Sequence, residues 1–236
     1  MANIVKKTMK CGILDMLCPH FCRGCGEIGA VFCECCKNNM ISEKINYCPN
    51  CERVICGEKC EKCRLPFSAT FMIGWRDELI GELVEEYKYQ SVRALGKVLA
   101  DILDESLPDL AGEVVVVPMP TINQHVRERG IDHTFEVAKK LAKKRGWKVE
   151  KVVLRAKNTV QVGANEKQRA LQAREAYKIE QELDSEKVYV IFDDVWTTGA
   201  SMKEVGKLMK ENGAKKVVAV VLAVNRIGKK PKIKAR

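Results

Sequence analysis

The chain has 236 residues, with 41 Lys and Arg against 31 Asp and Glu, for a formal charge of +10. That length can bury a sizeable core, and 46% hydrophobic with 31% charged residues is the balance of a globular fold, not of a fibrous or disordered chain. The longest apolar run, Val217 to Val224, is far short of the roughly 20 residues of a membrane-spanning helix, and the basic start MANIVKKTMKCGILD has no uninterrupted apolar stretch. The expectation is a cytoplasmic protein without stable membrane insertion, basic enough to meet a polyanion.

All 12 cysteines lie between Cys11 and Cys63, a step in composition that marks a domain boundary. Four C-x-x-C knuckles stand in this stretch: Cys22 to Cys25, Cys33 to Cys36, Cys48 to Cys51 and Cys60 to Cys63. They form an internal repeat of about 26 residues. Each knuckle puts two thiolates on one side of a tight turn, and two knuckles complete a tetrahedral four-sulfur site. Eight such thiolates predict two structural Zn2+ ions, which would supply most of the folding energy of a segment with few large apolar residues. A disulfide framework would require an oxidising compartment, and an iron–sulfur cluster is the other four-thiolate alternative. Spacing leaves sequential and cross-braced pairing open, sequential being the simpler. Cys11, Cys18, Cys35 and Cys56 remain over, and Cys35 could replace a neighbouring ligand. His20, His125 and His133 have no ligand-like spacing.

After Pro66, Leu79, Ile80, Leu83, Val84 and Tyr87 recur at helical spacing, as do Val92, Leu95, Val98, Leu99, Ile102 and Leu103. Val114 to Val117 reads as a buried strand ending in Pro118-Met119-Pro120. A helix carrying Phe135, Ala138, Leu141 and Ala142 follows, then a short strand over Lys151 to Arg155. A polar stretch without aromatic residues runs from Ala156 to Glu175. Val188 to Phe192 is a strand, Ser201 to Glu211 a helix stopped by Asn212-Gly213, and Val217 to Val224 the last strand. Continuous apolar strands alternating with amphipathic helices predict an α/β domain over 68–228, a parallel sheet flanked by helices on both faces. A cysteine-rich segment, 18–66, precedes it and a basic tail, 229–236, follows.

The segment VYVIFDDVWTTGAS joins a hydrophobic strand, two acids and a small polar loop that opens a helix. Ligands of open parallel sheets bind at the carboxyl ends of strands, where Asp193 and Asp194 stand. The loop Thr197-Thr198-Gly199-Ala200-Ser201 offers backbone N–H groups, hydroxyls and a helix N-terminus, which suit a phosphate dianion. It is not a Walker loop, because the lysine is absent. Acids beside a phosphate cradle point to a phosphorylated sugar. Trp196 fits either stacking on a base or packing, and Lys88 reads as a helix residue that snorkels to solvent.

DDVWTTGAS resembles the phosphoribosyl pyrophosphate (PRPP) motif of type I phosphoribosyltransferases, and the chain from about Cys18 to Val224 looks like the ComF family (ComFC/GntX-like). In that family a double zinc ribbon precedes a phosphoribosyltransferase domain. The resemblance includes the Cys-Pro-x-x-Cys-x-x-Cys-Gly pattern near Cys18, Tyr87-Lys88-Tyr89, Val117-Pro118-Met119-Pro120, Arg127-x-Arg129-Gly130, and Gln161 with Arg169 eight positions on. It implies that Asp193 and Asp194 contact the ribose hydroxyls, directly or through Mg2+, and that Thr197, Thr198, Gly199, Ala200 and Ser201 hold the 5′-phosphate. Pro118, Met119 and Pro120 would lie near the pyrophosphate, with Arg127 and Arg129 neutralising it. Gln161 to Arg169 would form a hood over the reacting centre. Asp132-His133 replaces the family's usual Asn-Gln after Arg129-Gly130-x, and Gln172 replaces an expected Asn.

From Lys139 to Lys157 nine Lys or Arg face one acid, Glu150, and the tail from Arg226 is basic throughout its charged positions. Such stretches are compatible with a polyanion along the surface. The resemblance implies a role in natural transformation, with single-stranded DNA and the DNA-uptake machinery as partners of a protein that binds Mg–PRPP. The alternative is an active phosphoribosyltransferase that transfers ribose 5-phosphate to a nitrogenous acceptor.

Overall fold

The computed structural model describes residues 20–42, 46–90, 92–156 and 176–228, with positions 123–125 described by their backbone alone. The cysteine-rich part holds helix α1 (Glu34–Ser42) and two tight turns, closed by the bridges Phe21–Ile28 and Tyr47–Val54. There follow β1 (Ala69–Trp75), α2 (Leu79–Tyr89), α3 (Leu95–Ser106), β2 (Val114–Pro118), α4 (Asn123–Arg129), α5 (His133–Arg145) and β3 (Lys148–Val149). The chain continues with β4 (Leu154–Arg155), β5 (Tyr177–Lys178), β6 (Val188–Trp196), α6 (Ala200–Glu211) and β7 (Lys216–Val224).

Five strands make one parallel sheet in the order β1-β7-β6-β2-β3, while β4 and β5 form a separate antiparallel pair. The near-continuous apolar runs of β2, β6 and β7 suit strands covered on both faces. Val114, Val116, Val190, Phe192, Val218 and Val220 join one core with Leu83, Tyr87, Leu99, Leu103 and Leu141 from α2, α3 and α5. The alternate residues, Val115, Val117, Ile191, Val217, Ala219 and Val221, join a second core with Met202, Val205 and Met209 of α6. The expected parallel α/β sheet is therefore observed.

Three local expectations change. Strand β1 had no prediction: Thr70 and Gly74 interrupt its apolar pattern, and its pairing with β7, from Ala69–Val218 to Trp75–Val224, makes it a strand. The strand expected over Lys151 to Arg155 contracts to β4, because the only partner it finds among the described residues is the two-residue β5. The basic turn at Arg127 to Gly130 is the end of helix α4.

The cysteine-rich part packs on both sides of the sheet. Cys22, Val31 and Phe32 enter the first core, whereas Tyr47, Leu65 and Phe67 belong with the second. The Tyr47 ring lies 5.4 Å from that of Trp75. Phe67 is 2% exposed, its ring 6.3 Å from Trp196, and it sits so close to α6 that a Cβ at Gly206 would fall 2.5 Å from it. Truncating such a side chain leaves a cavity against both β6 and α6. Phe67→Ala is expected to lower stability by about 3–5 kcal/mol, read from the midpoint shift in urea unfolding at unchanged slope.

Candidate functional site

From β2 the chain crosses by α4 and α5 to β3, while from β6 it crosses by α6 to β7, on the opposite side. The carboxyl ends of β2 and β6 thus flank the point where strand order reverses, the usual binding crevice of an open parallel sheet. Pro118 pairs with Phe192, and the Met119 N–H donates to the Phe192 carbonyl at 2.8 Å. This puts Pro118, Met119 and Pro120 beside Asp193. The Pro118 and Met119 side chains are buried in the fold, so the backbone and half-buried Pro120 form this wall.

The two acids end β6 in different surroundings. Asp194 is clamped: its Oδ1 lies 2.6 Å from Lys88 Nζ of α2, and its Oδ2 accepts a 3.1 Å bond from Thr134 Oγ1 of α5. The expectation that Lys88 snorkels to solvent is therefore corrected, because its side chain is only 14% exposed and its ammonium is held by the site acid. Asp193 Oδ1 accepts the Asp194 backbone N–H at 2.9 Å. Burial first, and then the Asp194 charge, push the Asp193 carboxyl up to about 8, against the opposing pull of Lys88 and that N–H.

The following loop turns on Gly199, the N-cap of α6, at φ 67°. A Cβ there would stand 1.9 Å from the Trp196 ring, so glycine is required both by the left-handed backbone and by the close approach. Trp196 is buried beneath the loop, which settles it as a packing residue. Thr197, Thr198, Ala200 and Ser201 are exposed. Gly199 has no side chain with which to cap α6, and Thr198 Oγ1 accepts from the Ala200 N–H at 3.4 Å. The remaining first-turn amides suit an anion with three or more oxygens.

Helix α4 carries Arg127, exposed, and Arg129, which donates to Tyr89 Oη at 3.1 Å and stacks over that ring at 4.7 Å. Asp132 caps α5: its Oδ1 accepts from the Phe135 N–H at 3.2 Å and from Thr121 Oγ1 at 3.0 Å. His133 is buried edge-on to Tyr87 at 4.7 Å, and burial, with Arg129 nearby, holds its pKa down. Asp132 and His133, two of the three departures from the family pattern, are thus engaged within the fold at the start of α5. Gln161, Arg169 and Gln172 lie outside the described residues. Sequence reasoning missed Thr134 altogether; one signal was its place in the first turn after Asp132, in a helix that follows a strand end.

The cysteines form two groups, Cys22, Cys25, Cys33, Cys36 and Cys48, Cys51, Cys60, Cys63, each with its sulfurs within 4.8 Å of one another. The pairing is sequential, and four soft ligands so arranged fit a tetrahedral Zn2+. Burial pushes the Cys36 and Cys48 thiols up, whereas backbone N–H groups of Cys25, Cys33 and Gly24 outweigh burial and bring Cys22 down to about 6. A divalent cation would draw all four to thiolates. Cys35 and Cys56 are exposed and stand outside both groups, and Cys11 and Cys18 fall outside the described residues.

Much of the basic stretch is committed within the molecule. Lys144 pairs with Asp101 at 2.8 Å, Arg145 with Asp104 at 2.8 Å, Lys148 with Glu113 at 2.7 Å and Lys140 with Glu136 at 3.5 Å. Arg226 at the start of the tail pairs with Asp77 and Glu78 and covers the Trp75 ring. Lys139 and Lys143 are exposed. No described helix is long and apolar enough to cross a membrane.

The family match agrees with the α/β part of this architecture. Residues 129–235 match the family described as Phosphoribosyl transferase domain. The fold and the paired acids before the loop define a protein of phosphoribosyltransferase fold. Within that class the chain is similar to proteins of the ComF type, through two curated relatives and the two cysteine groups. Competence protein ComFC of Streptococcus pneumoniae is 25% identical over 193 residues, covering 78% of this chain and 84% of the relative. Competence protein F of Haemophilus influenzae is 23% identical over 217 residues, covering 78% and 93%. Among solved structures, a PRPP amidotransferase from B. subtilis aligns with 16% identity and a TM-score of 0.41, over 58% of this chain but 30% of that one. A purine phosphoribosyltransferase from Pyrococcus horikoshii aligns with 16% identity and a TM-score of 0.32, over 66% and 88%.

Two outcomes are expected. Elemental analysis should find two zinc ions per chain, and Cys60→Ser should lower the content by about one. The raised Asp193 pKa favours the protonated native form, so its stabilising effect is complete below the ordinary carboxylate pKa of about 4 and is lost as pH rises towards about 8. Asp193→Asn should therefore raise Tm above wild type increasingly over that window, the two curves converging in acid. A Tm difference that does not vary with pH would contradict the burial of this charge.

Proposed function

We propose that this protein binds Mg–PRPP at the carboxyl ends of β2 and β6 and serves DNA uptake in natural transformation by handling single-stranded DNA. The observation that carries the ligand reading is the sequence of groups along one strand end: Asp193, the clamped Asp194, and a loop opening α6 whose N-cap is a glycine. Asp193 and Asp194 hold the ribose 2′ and 3′ hydroxyls, and Thr197 to Ser201 hold the 5′-phosphate with amides and hydroxyls. The edge formed by Pro118, Met119 and Pro120, with Arg127 and Arg129, receives the pyrophosphate, and Gln161 to Arg169 supply the hood. Two carboxylates beside a phosphate cradle are hard oxygen ligands of the kind Mg2+ takes. When bound, the ion would neutralise pyrophosphate oxygens next to the acids.

The DNA role rests on the likeness to two competence proteins and on the exposed part of the basic surface, Lys139 and Lys143. The engagement of Asp132 and His133 in capping and packing α5 favours a ligand-responsive module over an enzyme that offers these positions to an acceptor. The cysteine groups, over about 18–66, form a double zinc ribbon ahead of the phosphoribosyltransferase domain of 68–228 in a cytoplasmic protein.

Calorimetric titration of Mg2+–PRPP into zinc-replete protein tests the site. Wild type should bind, and Asp193→Asn/Asp194→Asn should not, while remaining folded by circular dichroism. Absence of heat with folded wild type would overturn the ligand claim. Pyrophosphate release on adding candidate bases would move the conclusion to an active phosphoribosyltransferase. Salt-dependent binding of a single-stranded oligonucleotide that survives the double substitution would support the DNA role.

A further inference from the structure

Asn50 lies inside the Cys48-Pro49-Asn50-Cys51 knuckle, and its side chain is bonded at both ends. Nδ2 donates to Cys63 Sγ at 3.4 Å, and Oδ1 accepts from Lys203 Nζ at 3.0 Å. The knuckle holds the amide in place, because the Glu52 N–H closes the turn on the Cys48 carbonyl at 2.9 Å. Lys203 belongs to the first turn of α6, and its N–H donates to the Gly199 carbonyl at 2.9 Å. Its ammonium lies 6.0 Å from the centre of the Trp196 ring, the ring against which Gly199 is fitted. A cysteine of the second group, a knuckle amide, the first turn of α6 and the phosphate loop thus form one continuous chain of contacts across 153 positions of sequence.

The chemistry of this chain depends on the sulfur. A metal-bound thiolate is a stronger acceptor than a thiol, and a hydrogen bond to it fixes the donor amide. An amide fixed through Nδ2 presents Oδ1 in one direction, and that oxygen holds the half-buried ammonium of Lys203. With a neutral thiol in place of the thiolate that bond is weaker, the amide is less firmly held, and so is the Lys203 ammonium that ties the first turn of α6 to the knuckle.

We propose that Asn50 and Lys203 are positioning residues that couple metal occupancy of the Cys48, Cys51, Cys60, Cys63 group to the order of the phosphate loop. The functional consequence, tighter binding of a phosphorylated ligand by the metal-loaded protein, rests on the reading of that loop given above; the coupling itself does not. Lys207, one turn further along α6 and paired with Glu204 at 2.6 Å, provides a comparison on the same helix.

The test is amide hydrogen exchange over residues 197–203 in the zinc-loaded full chain, for wild type, Asn50→Leu, Lys203→Met and Lys207→Met. Asn50→Leu and Lys203→Met should each speed loop exchange by about fivefold or more at unchanged zinc content, and their double variant should add little beyond either. Lys207→Met should match wild type. Loop exchange in Lys203→Met within about twofold of wild type, zinc retained, would overturn the coupling. That variant leaves the cysteine group untouched and so decides the matter even where Asn50→Leu folds poorly. Titration of Mg2+–PRPP into the same proteins separates the two ideas. Failure of wild type to bind would remove the ligand reading and leave the exchange result standing, whereas equal affinity in all variants alongside unchanged exchange would remove the coupling alone.

Discussion

Two carboxylates on consecutive residues at the end of a buried strand repel each other and lose hydration, and the rest of the site follows from how that cost is met. Asp194 receives an ammonium from α2 and a hydroxyl from α5, one at each oxygen. Asp193 receives only a backbone N–H from its neighbour among the described hydrogen bonds, and burial raises its pKa accordingly. The pair is therefore asymmetric, with one carboxylate fixed by its partners and the other poised to exchange a proton for a better one. A sugar hydroxyl or a cation entering the crevice would find Asp193 as the group with most to gain. This arrangement requires α2 and α5 to be docked firmly on the same face of the sheet, and the shared core of Leu83, Tyr87, Leu99, Leu103 and Leu141 supplies that docking.

The cysteine-rich segment contributes to the same accuracy from outside the sheet. Arg23, in the first knuckle, pairs with Glu86 of α2 at 2.6 Å, two positions from Lys88. Lys37 of α1, largely buried, reaches Glu105 of α3 at 2.6 Å. At the β1 edge of the sheet, the Thr70 N–H donates to the Glu58 carbonyl at 3.0 Å, tying the second cysteine group to β1. One group thus braces α3 and the helix that holds Lys88 near the acids, and the other the helix that the Thr197 to Ser201 loop opens. A segment so poor in large side chains can act as a brace only if something other than an apolar core makes it rigid, and a metal ion held by each four-sulfur group would do so.

What could be read from sequence divides along physical lines. The strands Val114 to Val117, Val188 to Phe192 and Val217 to Val224 were legible because a strand covered on both faces is apolar at every position. The cysteine knuckles were legible because ligand spacing is set by turn geometry, which is local. The strand-loop-helix arrangement around the DD and TTGAS groups was legible because it is local in sequence, one strand end running into one helix start. Lys88, Thr134, Asn50 and Lys203 were not, since each acts across long sequence separations, and nothing local distinguishes Lys88 from any lysine ending a helix. Strand β1 was missed for the same reason: ATFMIGW becomes a strand through its register with β7, at the far end of the chain.

The formal charge of +10 invites an account of anion binding by bulk electrostatics, but the placement of the cations argues otherwise. Lys140, Lys144, Arg145 and Lys148 are spent on acids of α3, α5 and the loop before β2, and Lys88 on Asp194. The segment Thr197 to Ser201 contains no cation at all. An anion held there would be held by amides and hydroxyls aimed from a helix N-terminus, whose strength depends on geometry. A polyanion on the surface would instead depend on exposed side chains such as Lys139 and Lys143, and would be strongly salt-dependent. Recognition of a small phosphate ester and of a nucleic acid, as proposed, would thus be physically separable in this fold: the first would rest on the strand-loop-helix unit that begins at β6, and the second on whatever charge the intramolecular pairs leave over.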